Sequence, residues 1–155
     1  MIDDEGYRAN VGIIILNHEK RVLWAKRVNE MAWQFPQGGI YPGEIPDEAM
    51  QRELMEEVGL TQNNIEIIAR TKDWLRYDVP TNWIRRGGQG KYRGQKQIWY
   101  LLKFVGNDKD IFLQSSNKPE FDDWKWVDYW SPVDQVIDFK RKVYKQALDE
   151  LSVYL

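Results

Sequence analysis

Gly38-Gly39-Ile40-Tyr41-Pro42-Gly43-Glu44 and, after seven intervening residues, Arg52-Glu53-Leu54-Met55-Glu56-Glu57-Val58-Gly59-Leu60 read together as one loop, helix and loop. The helix is expected over 47–58. Pro46 stands near its start, apolar Met50, Leu54 and Val58 share one side, and Gly59 is placed to stop it. Glu53, Glu56 and Glu57 are spaced i, i+3 and i+4, which crowds three carboxylates onto one helical face. Like charges at that spacing cost about 0.2–0.5 kcal/mol per pair when solvated. Arg52, four residues before Glu56, can neutralise one of them. A divalent cation offsets the whole cluster better, and carboxylate oxygens suit Mg²⁺ or Mn²⁺. Gly38-Gly39 permits close backbone approach to an anion, while Pro42-Gly43 fits a tight turn. A solvated acidic face would explain three glutamates alone, but not the spaced glycines.

On the N-terminal side, 11–16 and 21–26 are β-rich runs around the polar turn Asn17-His18-Glu19-Lys20, predicting a hairpin whose first strand is buried on both faces. Further strands are predicted at 65–70, 74–79, 95–105 and 124–127, and a helix over 139–151. The order is mixed α+β. Residues 81–93, with Arg85-Arg86-Gly87-Gly88-Gln89-Gly90-Lys91, are too rich in glycine for an element interior and read as a basic loop.

At 155 residues the chain fits one domain, 1–155, since domains commonly hold about 100–150 residues. Its 43% hydrophobic residues, with eight Trp, eight Tyr and five Phe, supply a core and an aromatic surplus for a ligand. The tryptophans, among them Trp33, Trp74, Trp99, Trp124, Trp126 and Trp130, are expected to pack the sheet. With no cysteine and one histidine, disulfides, thiolate nucleophiles, Cys-based zinc sites and Ser-His-Asp triads are excluded. His18 itself is expected in an exposed turn. A net charge of −2 means that any nucleic-acid contact comes from a local basic patch. The start, Met1-Ile2-Asp3-Asp4-Glu5, lacks an apolar h-region, and no stretch nears the roughly 20 apolar residues of a membrane span. A cytoplasmic protein without a membrane part is expected, and the sequence names no protein partner.

The spacing from Gly38 to Leu60 is that of the Nudix box, Gly-x5-Glu-x7-Arg-Glu-U-x-Glu-Glu-x-Gly-U with U aliphatic, met at every fixed position. A chance match in such a chain is on the order of 10⁻⁷ or less. The chain thus resembles the Nudix hydrolases. The resemblance implies an α/β/α sandwich with a mixed sheet, whose loop-helix-loop motif binds divalent metal ions for hydrolysis of a phosphoanhydride bond. By position it makes Glu53 and Glu57 the main ligands, Glu56 a further ligand or water-orienting group, and the Gly38 carbonyl a possible ligand. It gives Glu44 and Arg52 a bracing role by ion pairing. Either Glu53 or Glu57 is the proton acceptor. Gly39, Gly43 and Gly59 complete the motif.

Outside the box the similarity extends over almost the whole chain to bacterial RNA pyrophosphohydrolases. It is carried by Gly6-Tyr7-Arg8, Trp33-Gln34-Phe35-Pro36-Gln37-Gly38-Gly39, Trp74-Leu75-Arg76-Tyr77, Gly94-Gln95-Lys96-Gln97, Pro119-Glu120-Phe121-Asp122 and Phe139-Lys140-Arg141. Ala9, Ala32 and the loop 81–93 depart from that pattern. The similarity implies 5′-triphosphorylated RNA as substrate, with release of a 5′-monophosphorylated product whose decay it initiates. It also makes Glu120 an additional metal ligand. Arg8, Arg27, Arg76, Tyr77, Gln95, Lys96 and Lys140 are candidates for the charged RNA end, and Ile137 and Phe139, the latter opposite Arg8, for flanking a base. Two rivals stand beside this reading. One is a diadenosine polyphosphate hydrolase using the same helix, and the other is a non-catalytic RNA- or nucleotide-binding module on a decayed Nudix fold.

Overall fold

The computed structural model describes residues 2–81 and 92–155. Most of the basic loop, including Arg85 and Arg86, and with it Trp83, lies outside the described residues. In chain order the elements are β1 (Tyr7–Leu16), β2 (Arg21–Arg27), β3 (Trp33–Gln34), β4 (Gln37–Gly39), α1 (Pro46–Val58), β5 (Ile65–Arg70), β6 (Leu75–Asp78), β7 (Gly94–Phe104), β8 (Phe121–Asp128), α2 (Ser131–Gln135) and α3 (Asp138–Leu151).

β1 runs parallel to β7 from Tyr7 against Gly94 to Leu16 against Lys103. The remaining pairings are antiparallel, so the sheet is mixed. The period of two along β1 separates two cores. Val11, Ile13 and Ile15 join Met50, Leu54 and Val58 of α1 on one face. Ile14 and Leu16 join Tyr144, Ala147, Leu148 and Leu151 of α3 on the other. This is the α/β/α sandwich, and it explains why β1 is apolar on both faces. Each fully buried aliphatic side chain contributes about 1.5–3 kcal/mol to holding these layers. Trp24, Phe35, Trp99 and Tyr144 interlock under α3 with ring centroids 4.9–6.1 Å apart. The Tyr144 hydroxyl accepts the Phe35 N–H at 2.9 Å.

The predicted elements are present, with ends shifted by up to four residues, the largest shift being the start of β1. His18 is exposed in the β1–β2 turn, where the Asn17 side chain accepts the Glu19 and Arg21 N–H groups at 3.0 Å each. Trp130 departs from expectation: it is 47% exposed, because it stands at the start of α2 outside the sheet and rests on Tyr129. Short β3, β4 and α2 were not anticipated.

The sheet forks where the site lies. β2 pairs with β1 only near their hairpin, at Leu16 against Val22. Farther along β1, Asn10, Val11 and Gly12 pair instead with Gly39, Gly38 and Gln37 of β4. Among the described residues no helix is long and apolar enough to cross a membrane.

Candidate active site

α1 is fixed at both ends by its own sequence. Pro46 opens it, and the Glu48 carboxylate accepts the Ile45 N–H at 3.0 Å. Gly59 closes it at φ +71°, donating its N–H to the Met55 carbonyl at 3.0 Å. The preceding loop turns at Tyr41-Pro42-Gly43-Glu44, with Gly43 at φ +84° and the Glu44 N–H bonded to the Tyr41 carbonyl at 3.0 Å. That is the tight turn expected of Pro-Gly.

Arg52 ties loop to helix. Its guanidinium donates to both oxygens of Glu44, at 2.8 and 3.0 Å, to the Gly39 carbonyl at 2.7 Å and to Glu53 Oε1 at 2.6 Å. Glu56 Oε2 stands 3.5 Å away, and the Tyr41 ring lies under the guanidinium at 3.7 Å. The fork holds the Glu44 carboxyl below its ordinary range and raises the Arg52 pKa further. The bracing expected of Glu44 and Arg52 is therefore present as geometry.

Packing gives Gly38 a reason of its own. A Cβ there would stand 2.0 Å from Glu53 Cδ, so only glycine leaves room for that carboxylate. A Cβ on Gly39 would stand 2.5 Å from the Arg8 guanidinium. Glu57 is buried and accepts the Gln37 N–H at 3.0 Å. Burial, and then the charges of Glu53 and Glu120, push its pKa well above the ordinary carboxylate range. Burial also raises Glu53, against the opposing pull of Arg52.

A cavity of about 610 Å³ beside the fork gathers these groups. Glu53, Glu56, Glu57, Gly38 and Gly39 line it together with Glu120, Arg8, Arg27 and Gln95. Glu120, distant in sequence, lines the same cavity as the carboxylates of the helix. A second cavity of about 310 Å³ shares Arg27 and Gln34 with the first and is walled by Met31, Trp33, Ile137, Phe139 and Lys140. Ile137 and Phe139 come together there, and Arg8 lines the first cavity. Phe139 packs on the Tyr77 ring at 5.9 Å. Lys140 is buried, with its Nζ 3.3 Å from Gln34 Oε1, and burial lowers its pKa to about 8.

Other candidates stand elsewhere. Lys96 points to the face of β7 opposite Gln95, where it pairs with Asp3 at 3.1 Å and covers Trp74. Arg76, its cross-strand neighbour, lies over Tyr7. Tyr77 is buried beneath the cavities, its hydroxyl 3.4 Å from Gln37 Nε2. Sequence reasoning missed Asn10, Gln34, Gln37, Tyr92, Ser116 and Lys118 as lining residues. Period-two alternation from Arg8 would have found Asn10, whereas Ser116 and Lys118 sit on an irregular loop with no such signal. Trp33, expected in the core, is half-buried and lines the second cavity.

Among the described residues no three His, Cys, Asp or Glu side chains already converge as a cation cage. The donor set nevertheless fits a hard divalent ion. Glu53, Glu56, Glu57 and Glu120 offer oxygen ligands in one cavity.

The chain is similar in fold to the E. coli dihydroneopterin triphosphate pyrophosphohydrolase, at 18% identity and a TM-score of 0.67 over 93% of this chain and 98% of that one. A C. elegans Ap4A hydrolase in a binary complex matches at 19% identity and TM-score 0.66, over 94% and 99% of the two chains. A MutT protein from Methanosarcina mazei Go1 matches at 18% and 0.60, over 97% and 98%. The family model described as NUDIX domain covers residues 6–149. With the complete box folded as loop, helix and loop around a carboxylate-lined cavity, the chain belongs to the Nudix family of hydrolases.

Proposed function

We propose that this chain is a metal-dependent RNA 5′-pyrophosphohydrolase, converting 5′-triphosphorylated RNA to 5′-monophosphorylated RNA and so opening transcripts to decay. The observation that carries the reading is the pair of adjoining cavities: one carries the carboxylates and two arginines, the other is walled by Met31, Trp33, Ile137 and Phe139, and both share Arg27 and Gln34. A triphosphate suits the first and an unstacked base the second. The similarity of the flanking segments to RNA pyrophosphohydrolases supports the same substrate.

Glu53, Glu56 and Glu57, with Glu120 and the Gly38 carbonyl, would hold Mg²⁺ or Mn²⁺, which supplies Lewis acidity and a more acidic bound water. Arg8 and Arg27 bind phosphate oxygens by charge-assisted hydrogen bonds. Arg52 keeps Glu53 and Glu44 in place, and the Gln37 peptide orients Glu57. Glu53 or Glu57 takes the proton of the attacking water.

Diadenosine polyphosphate hydrolysis is the second reading, since one adenine would fill the smaller cavity equally well. Turnover of triphosphorylated RNA and of diadenosine tetraphosphate at equal concentration separates the two. Faster RNA turnover is expected; a large advantage for the dinucleotide would reverse the assignment.

A further inference from the structure

Trp99 lies at the centre of the α3-side core, and Gly12 makes room for it: a Cβ at Gly12 would stand 2.4 Å from the indole. An indole N–H is only a donor. It donates to Gln97 Oε1 at 3.1 Å, in a side chain with no solvent exposure. This fixes which end of the Gln97 amide is oxygen and which is nitrogen. Gln97 Nε2 then donates to Asn10 Oδ1 at 2.8 Å and, more distantly, to Gln37 Oε1 at 3.4 Å.

Asn10 is 2% exposed and lines the carboxylate cavity, two residues along β1 from Arg8. Its oxygen is engaged by Gln97, and among the described residues no hydrogen bond runs from its Nδ2. The group Asn10 offers the cavity is therefore a donor. A phosphate oxygen reaching this donor from the cavity would meet a group already held in direction.

We infer that Asn10 is a substrate-binding residue that donates its side-chain N–H to a phosphate oxygen, with the polarity of its amide set by Trp99 through Gln97. The inference rests on the proposal that this cavity receives the polyphosphate. No proton moves along the relay, which acts by fixing direction. An Asn10 amide turned the other way would present an acceptor to an anion and oppose binding.

The test uses inorganic tripolyphosphate with Mg²⁺ as probe, by calorimetry and by ¹⁵N spectra of side-chain amides in the full chain. Asn10→Ala is expected to weaken binding roughly ten- to hundred-fold, the range for a hydrogen bond to a charged group. In the parent protein the Asn10 Nδ2 signal should shift on saturation, a readout that does not depend on the variant folding. Trp99→Phe should double or broaden that signal, because the amides lose their fixed direction. Parental affinity in Asn10→Ala, or an unmoved Asn10 signal at saturation, would overturn the binding role. A single unchanged signal in Trp99→Phe would overturn the relay. Failure of the parent to bind tripolyphosphate would instead defeat the phosphate reading of the cavity, and this inference with it.

Discussion

Glu57 shows how a residue can weaken a fold that it equips for chemistry. Its pKa is raised in the folded protein, so between the ordinary carboxylate value and the raised one the folded state holds more protons than the unfolded state. Stability contributed by this group is present at low pH and is lost as pH rises through that window. Without metal the penalty grows as pH rises through that window. In chelator, Glu57→Gln should therefore melt higher than the parent, each kcal/mol recovered being worth about 2–4 °C, and added Mg²⁺ should raise the parent more than the variant. A variant that melts lower in chelator would contradict the cause assigned to the shift. Gly38 gives a second case. Gly38→Ala should push Glu53 aside and reduce turnover at least about tenfold, the scale of disturbing a metal ligand's support, with secondary structure retained by circular dichroism. The glutamates were legible in sequence because i, i+3 and i+4 spacing needs no tertiary knowledge. The steric role of Gly38 was not, because it depends on how closely α1 approaches β4.

At the scale of elements, α1 was readable because its start, its apolar side and its stop each carry a local signal. Its C-terminal end can be tested alone. Gly59 is left-handed, and a Cβ there would stand 2.6 Å from the Phe112 carbonyl oxygen. Gly59→Ala should cost about 1–3 kcal/mol, measured as a lower urea midpoint with an unchanged slope. An unchanged midpoint would show that the turn relaxes freely. β3 and β4 escaped notice because two or three residues cannot display a period of two. Their existence depends on β2 leaving β1 and exposing an edge, which is a property of the sheet. Lys96 illustrates the same limit. Its charge suggested phosphate, but alternation along β7 places it on the opposite face from Gln95, paired with Asp3.

In the whole molecule, the two helical layers divide the labour. α1 supplies carboxylates, while Ile137, which caps α3, and Phe139 and Lys140 of its first turn line the smaller cavity. The burial of β1 on both faces was legible because its run is apolar throughout, whereas the α/β/α sandwich was expected from the resemblance that the box carries. The joining of the two cavities was not, since it needs residues about a hundred positions apart to meet. If that union serves a nucleotide, Phe139→Ala should slow turnover of triphosphorylated RNA while leaving inorganic tripolyphosphate binding close to parental. Equal losses on both would place Phe139 in the scaffold rather than against a base. The most direct measurement is phosphate and pyrophosphate release from 5′-triphosphorylated RNA by the parent, Glu53→Gln and Glu57→Gln proteins in Mg²⁺. Both variants are expected to fall by at least about a hundredfold while remaining folded; release at the parental rate would contradict a catalytic role for the glutamate helix.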